Sequence, residues 1–167
     1  MNRSFRHRSA IGALAGVIAF ALASTPAAAT PPVGVSVEPI SNGVFPDIDL
    51  NAQKSDKWDI KIKAKDVTDV RVARVTIAAG GELGWHSHPG VSLVAVLSGS
   101  VVNYHGDDPL CTGVTVHAGE TFTDLGGDHV HNLRNESSEP VVLVPVGFFP
   151  HGAVTTISQP EPNNCRF

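Results

Sequence analysis

The chain has 167 residues, of which 42 % are hydrophobic, and sets 12 Lys and Arg against 16 Asp and Glu for a net charge of −4. That acidic balance argues against nucleic acid and anionic membrane surfaces as partners. The length suits one domain able to bury a core of its own.

Residues 1–29 read as a cleavable export signal. Arg3, Arg6 and Arg8 precede an apolar run from Ile11 to about Ala23, and small residues lead to Ala27-Ala28-Ala29. The run is too short and too alanine-rich for a good membrane span, so no stable membrane insertion is expected after processing. The processed protein, beginning near Thr30, is expected to be secreted or periplasmic. The leader takes three arginines and no carboxylate with it, leaving 9 basic against 16 acidic residues.

Residues 30–56 carry Pro31, Pro32, Pro39 and Pro46 with little periodicity, and are expected to form an extended N-terminal arm or short edge strand. Residues 57–158 are expected to be a β-barrel domain. Trp58 to Lys65 alternates apolar and polar residues, the pattern of a strand with one buried face and with its lysines in solvent. Further β-type runs follow at Val70–Ala78, Val91–Leu97, Ser100–His105, Val114–His117, Glu120–Thr123, His131–Arg134 and Val141–Phe148, punctuated by glycine- and proline-rich turns. No amphipathic helix competes with them, so the fold class is all-β, a sandwich or barrel.

Residues 159–167 form a tail that is expected to be tethered by its cysteine. Cys111 and Cys165 are the chain's two cysteines, and in an exported protein the expected state is a disulfide between them. The alternative leaves both thiols free, with Cys111 as a metal ligand.

Two His-x-His pairs carry the chemistry: Gly84-Trp85-His86-Ser87-His88-Pro89-Gly90, and Gly126-Gly127-Asp128-His129-Val130-His131-Asn132. On a strand, residues i and i+2 point to one side, so each pair offers two imidazoles to one space. His105, His117 and His151 lack such partners and are not expected among the ligands. Trp85 has the opposite parity from the histidines beside it and is expected to pack on the outer face.

In their order and spacing, Gly80, His86, His88 and Gly99, then Gly119, Gly127, His131 and Asn135, resemble the two motifs of the cupin family of small β-barrels. Ser92 stands where the first motif carries glutamate, and Leu125 where the second carries proline. One extra residue separates Gly127 from His131. The chain is also similar to small exported bacterial cupins in its Gly-Trp-His-x-His-Pro-Gly segment, its Gly106-Asp107-Asp108-Pro109-Leu110-Cys111 loop and its Asn164-Cys165-Arg166-Phe167 end.

The resemblance implies a cupin-like double-stranded β-helix, or jelly-roll, barrel, and a homodimer. It implies one divalent transition metal ion (Fe, Mn, Ni, Cu or Zn) held by His86, His88 and His131, with His129 a further candidate by parity. Ser92 is expected in the substrate pocket. Three neutral imidazoles leave coordination places open for water, dioxygen or a chelating small molecule. Without the glutamate such a centre is dipositive, suits an anionic bidentate substrate and lacks a carboxylate base. The implied enzyme is a metal-dependent oxidoreductase of dioxygenase type. The alternative is a non-catalytic barrel that binds a metal or small ligand.

Overall fold

The computed structural model describes residues 28–165 and 167. The leader expected at residues 1–29 lies, but for Ala28 and Ala29, outside the described residues. Twelve strands and no helix make up the described chain: β1 Val33–Phe45, β2 Ile48–Ser55, β3 Trp58–Ala64, β4 Thr68–Glu82, β5 His86–Ser87, β6 Ser92–Ser98, β7 Ser100–His105, β8 Val114–His117, β9 Thr121–Asp124, β10 His131–Arg134, β11 Val141–Pro150 and β12 Ile157–Ser158.

Every pairing is antiparallel, and ten strands form one continuous sheet that folds into two five-stranded halves, β1-β4-β11-β6-β9 and β12-β5-β10-β7-β8. They join where Arg134 of β10 meets Glu82 of β4, giving a nearly closed jelly-roll barrel. Inward positions at one end pack Val75, Ile77, Val94, Val96, Val101, Val116, Leu133, Val141 and Leu143 into a dry core. Alternation along β4, β6, β7 and β11 supplies those side chains from both halves, so the closed end is solid and the other end is free to form a cavity.

Residues 30–56, expected as an extended arm or short edge strand, hold two strands of 13 and 8 residues, the first at the sheet edge. β1 pairs with β4 from Val33↔Glu82 to Phe45↔Thr68, with register shifts at Val33/Val35 and Pro39/Ser41. Those shifts fall beside Gly34 and Pro39, and let a strand containing a ring without an N–H follow β4 at the sheet edge. β2 pairs with β3 as a separate hairpin, Leu50 opposite Ile62 and Ala52 opposite Ile60. The lysines of β3 face solvent as expected, but the expected burial of its apolar face is not found: Trp58 and Ile60 are 52 % and 45 % exposed.

The tail closes back on the barrel. Cys111 and Cys165 are bonded, with Cα atoms 5.2 Å apart, and Cys165 is fully buried. Beyond the bridge, the Phe167 ring stacks on Trp85 at 6.1 Å, and the Arg134 guanidinium lies 3.9 Å from its centroid. Trp85 is therefore buried on the outer side of β5, opposite the histidines that flank it.

Candidate metal centre

His86 of β5 and His88 just beyond it have rings 4.8 Å apart, and His131 of β10 is the cross-strand partner of His86. One ring nitrogen from each of the three lies within 4.8 Å of the other two. The rings are fixed by what their other nitrogens touch. His86 Nδ1 donates to the Gly84 carbonyl at 2.8 Å, His88 Nδ1 to the Thr155 carbonyl at 2.5 Å, and His131 Nδ1 to Asn103 Oδ1 at 3.2 Å. With the proton on Nδ1, each Nε2 keeps its lone pair for the interior, the arrangement that orients histidine ligands.

Glycines set the two approaches. Gly84 has φ +72°, and a Cβ there would overlap the Thr30 carbonyl oxygen, so the turn that delivers Trp85 and His86 needs a residue without a side chain. Gly126 has φ +69° and sits against the Gly90 carbonyl, while its N–H donates to Asp124 Oδ1 at 3.0 Å.

Asp124 is the residue that sequence reasoning missed. Its side chain is 1 % exposed, and Oδ2 lies 3.0 Å from His88 Nε2 and 3.2 Å from His131 Nε2. The motif spacing expected no carboxylate here, yet the strand opposite Ser92 supplies one, because Ser92 and Asp124 are register partners on β6 and β9. The expected dipositive centre is corrected accordingly: with ionised Asp124, a divalent ion leaves a net charge of +1. The overlooked signal is parity, since Phe122 and Asp124 share a face of β9 and Phe122 packs against the core.

Ser92 is buried and lines the same cavity as the three histidines. His129 stands apart. Its Nδ1 is 3.5 Å from Asp124 Oδ1, and its Nε2 faces away, 2.9 Å from His105 Nδ1. His105, not expected to join any cluster, is thus brought to His129. His151 pairs instead with Asp69 at 2.8 Å, and His117 belongs to neither histidine cluster.

Burial, then the His131 charge, push His86 down to about 3, and burial lowers His88 as well. Burial thus favours the neutral, donor form of both rings. Burial by itself raises the Asp124 carboxyl, but the His131 contact, the Gly126 N–H and His88 together bring it well below the usual carboxylate range. Asp124 Oδ2 and His131 Nε2 are buried with no hydrogen-bond partner among the described residues. Two such atoms facing each other fit a cation between them. The donor set, imidazole nitrogen with one carboxylate oxygen, suits a borderline divalent transition ion.

The centre forms one wall of a cavity of about 400 Å³ whose other walls are mostly apolar, including Val37, Val75, Phe122, Pro145 and Phe149. Outside the metal set, Arg71 is the one ionisable residue lining it among the described residues. Its guanidinium is held by Asp69 at 2.6 Å.

Residues 73–147 match the model of the cupin domain family Cupin_2. No curated protein matches the chain. Among solved structures, it is similar to a conserved protein with a double-stranded β-helix domain from Klebsiella pneumoniae, at 21 % identity over 68 % of this chain and 84 % of that one, with a TM-score of 0.46. It is also similar to the Cupin_2 domain of an XRE family transcriptional regulator from Enterobacter cloacae, at 20 % identity over 71 % and 99 % of the two chains, TM-score 0.44. An oxalate oxidase aligns at 26 % identity over 53 % of this chain and 45 % of its own, TM-score 0.45.

Proposed function

We propose that this chain, whose residues 73–147 match the cupin domain family Cupin_2, is an exported metalloprotein acting as a dioxygenase-type oxidoreductase on a small, mostly apolar molecule. His86, His88 and His131 hold one divalent transition metal ion in this reading, and Asp124 completes the set. The observation that carries it is the approach of His88 Nε2 and His131 Nε2 to within 3.0 and 3.2 Å of Asp124 Oδ2 beside an apolar cavity. The leader pattern of residues 1–29 and the Cys111–Cys165 bridge support export.

When bound, the ion supplies Lewis acidity and, if redox-active, a route for electrons. The chain's own residues do the rest. The carbonyls of Gly84 and Thr155 and the amide of Asn103 lock the imidazoles, while Val37, Phe122 and Phe149 exclude water and favour an apolar ligand body. Asp124 reduces the positive charge, so a neutral or singly charged chelating head suits the centre better than a dianion. A homodimer is supported by the uncovered apolar face of the β2–β3 hairpin.

A second reading, a non-catalytic binder, is favoured by one feature: apart from the metal set, the cavity offers Arg71 as its single ionisable group among the described residues, already paired with Asp69. Substitution separates the two. His88→Ala abolishes turnover in an enzyme, whereas a binder shows altered affinity and no product with any metal.

The test of the site is metal content by mass spectrometry on protein purified without a His tag, beside the His86→Ala/His88→Ala variant. Near-stoichiometric metal in the wild type, lost from the barrel centre in the variant, is expected. No uptake by that centre from Fe, Mn, Ni, Cu or Zn solutions overturns the metalloprotein reading.

A further inference from the structure

On the outer side of Asp124 lies a second constellation with ligand chemistry. One ligand atom from each of His105, Asp107 and His129 lies within 4.8 Å of the others, and the two imidazoles approach to 2.9 Å, Nδ1 of His105 to Nε2 of His129. Two ring nitrogens this close share either one proton or one cation.

Three further observations favour the cation. His129 is oriented from behind, with its Nδ1 buried, lacking a hydrogen-bond partner among the described residues, and 3.5 Å from Asp124 Oδ1. A carboxylate behind one imidazole nitrogen, with the other presented outward, is the arrangement that raises the basicity of a histidine ligand. The groove in front, about 360 Å³, is lined by Asp107, Asp128 and Glu161 and, among the described residues, by no lysine or arginine. Three carboxylates around the His129 imidazole make a cation-attracting pocket. Finally, the groove is built, not incidental: His105 sits on β7 and is paired with His131 of β10, and the tail residues Gln159 to Pro162 that form the opposite wall are held by the Cys111–Cys165 bridge.

We infer that His105, Asp107 and His129 form a second divalent-cation site, for a borderline ion of the Zn²⁺ type, separate from the barrel centre and joined to it through Asp124. Two nitrogens and one carboxylate oxygen are the ligand types such an ion takes, and three protein ligands leave a place open toward the groove. Asp124 serves both sites, Oδ2 toward His88 and His131 and Oδ1 toward His129.

The experiment is equilibrium dialysis of the full chain, without a His tag, against micromolar Zn²⁺, read by mass spectrometry. The His86→Ala/His88→Ala variant isolates the outer site and is expected to retain one equivalent, which vanishes when His105→Ala is added. Asp107→Asn, a change to an exposed side chain, is expected to weaken the retained equivalent at least tenfold. No retained equivalent in the double variant, or one that survives His105→Ala, overturns the inference. Where His105→Ala fails to fold by circular dichroism, Asp107→Asn decides, and an unchanged affinity overturns it. A wild type binding a single equivalent that His105→Ala removes and His86→Ala/His88→Ala does not would instead support the outer site while overturning the barrel centre.

Discussion

Ser92 of β6 and Asp124 of β9 are cross-strand partners, both buried, so the carboxylate beside the three histidines comes from the strand next to the one that carries glutamate in the family motif. Directly opposed side chains on an antiparallel pair share a face and lie about 4.5–5.5 Å apart at Cβ. A carboxylate moved across one strand gap can therefore reach much the same space.

That relation predicts a reciprocal rescue. Asp124→Asn should lower divalent-metal affinity of the barrel centre by roughly 10–100-fold, since an amide oxygen replaces an anionic one. Adding Ser92→Glu to Asp124→Asn should restore a large part of it. Titration calorimetry with Mn²⁺ on the two variants checks this, and a double variant as weak as Asp124→Asn alone would show that the two positions do not address one site.

The strands, the two His-x-His pairs and the disulfide were legible because each depends on local pattern: period-two alternation, parity, and an even cysteine count behind a leader-like N-terminal pattern. His105 was not, and for Asp124 parity gave only the inner face of β9, because both roles depend on which strands pair. Nothing in Thr121 to Asp124 states that β9 lies against Ser92, and nothing in Ser100 to His105 states that β7 lies against His131. β1 was legible only as an arm or short edge strand, for another reason. Gly34 and Pro39 break its alternation where its register shifts, so the sequence reads as irregular although the backbone is continuously paired. In β2, by contrast, Ile48-Asp49-Leu50-Asn51-Ala52-Gln53 does alternate, and the proline count around it obscured that signal.

Asp69 gives the fold an acid limit. Hydrogen bonds from His151 and then from Arg71 lower its carboxyl from 3.8 to about 2. A folded-state value below the unfolded one means that ionised Asp69 stabilises the fold, fully above the ordinary carboxyl range, and that this contribution is lost as pH falls through about 2. Asp69→Asn should be less stable than wild type at neutral pH and should lose less between pH 4 and pH 2. Urea midpoints at the three pH values measure it. Parallel losses in both proteins would remove Asp69 as the cause.

The disulfide closes a loop with a sequence separation of 54 residues. On the chain-entropy model such a loop contributes roughly 4 kcal/mol, so Cys111→Ala/Cys165→Ala should lower the melting temperature by roughly 10–15 °C. Freed of its tether, Phe167 should leave Trp85, whose indole then meets water. Calorimetry and tryptophan emission should therefore move together, the latter to longer wavelength. A variant melting within about 3 °C of wild type, a loss of roughly 1 kcal/mol at most, would show the bridge to be of little energetic weight.

The β2–β3 hairpin predicts the assembly state. A two-stranded hairpin without a packing partner is marginal in water, yet this one keeps a regular register from Ile48↔Ala64 to Gln53↔Asp59 and gathers Leu50, Trp58, Ile60 and Ile62 on one face. Asp49, Asp59, Lys61 and Lys63 occupy the other, where Lys63 pairs with Asp49 at 2.7 Å. A hairpin that is polar on one side and apolar on the other, with the apolar side uncovered in a single chain, is completed when a second copy covers it. Light scattering behind size exclusion should give a dimer. Trp58→Lys places a charge in the middle of that face and should weaken dimerisation at least tenfold while leaving the barrel's thermal transition in place, because no residue of β2 or β3 beyond Ile48 belongs to the buried core. A wild type that elutes as a monomer at every concentration would mean that the hairpin is held by something other than its own copy.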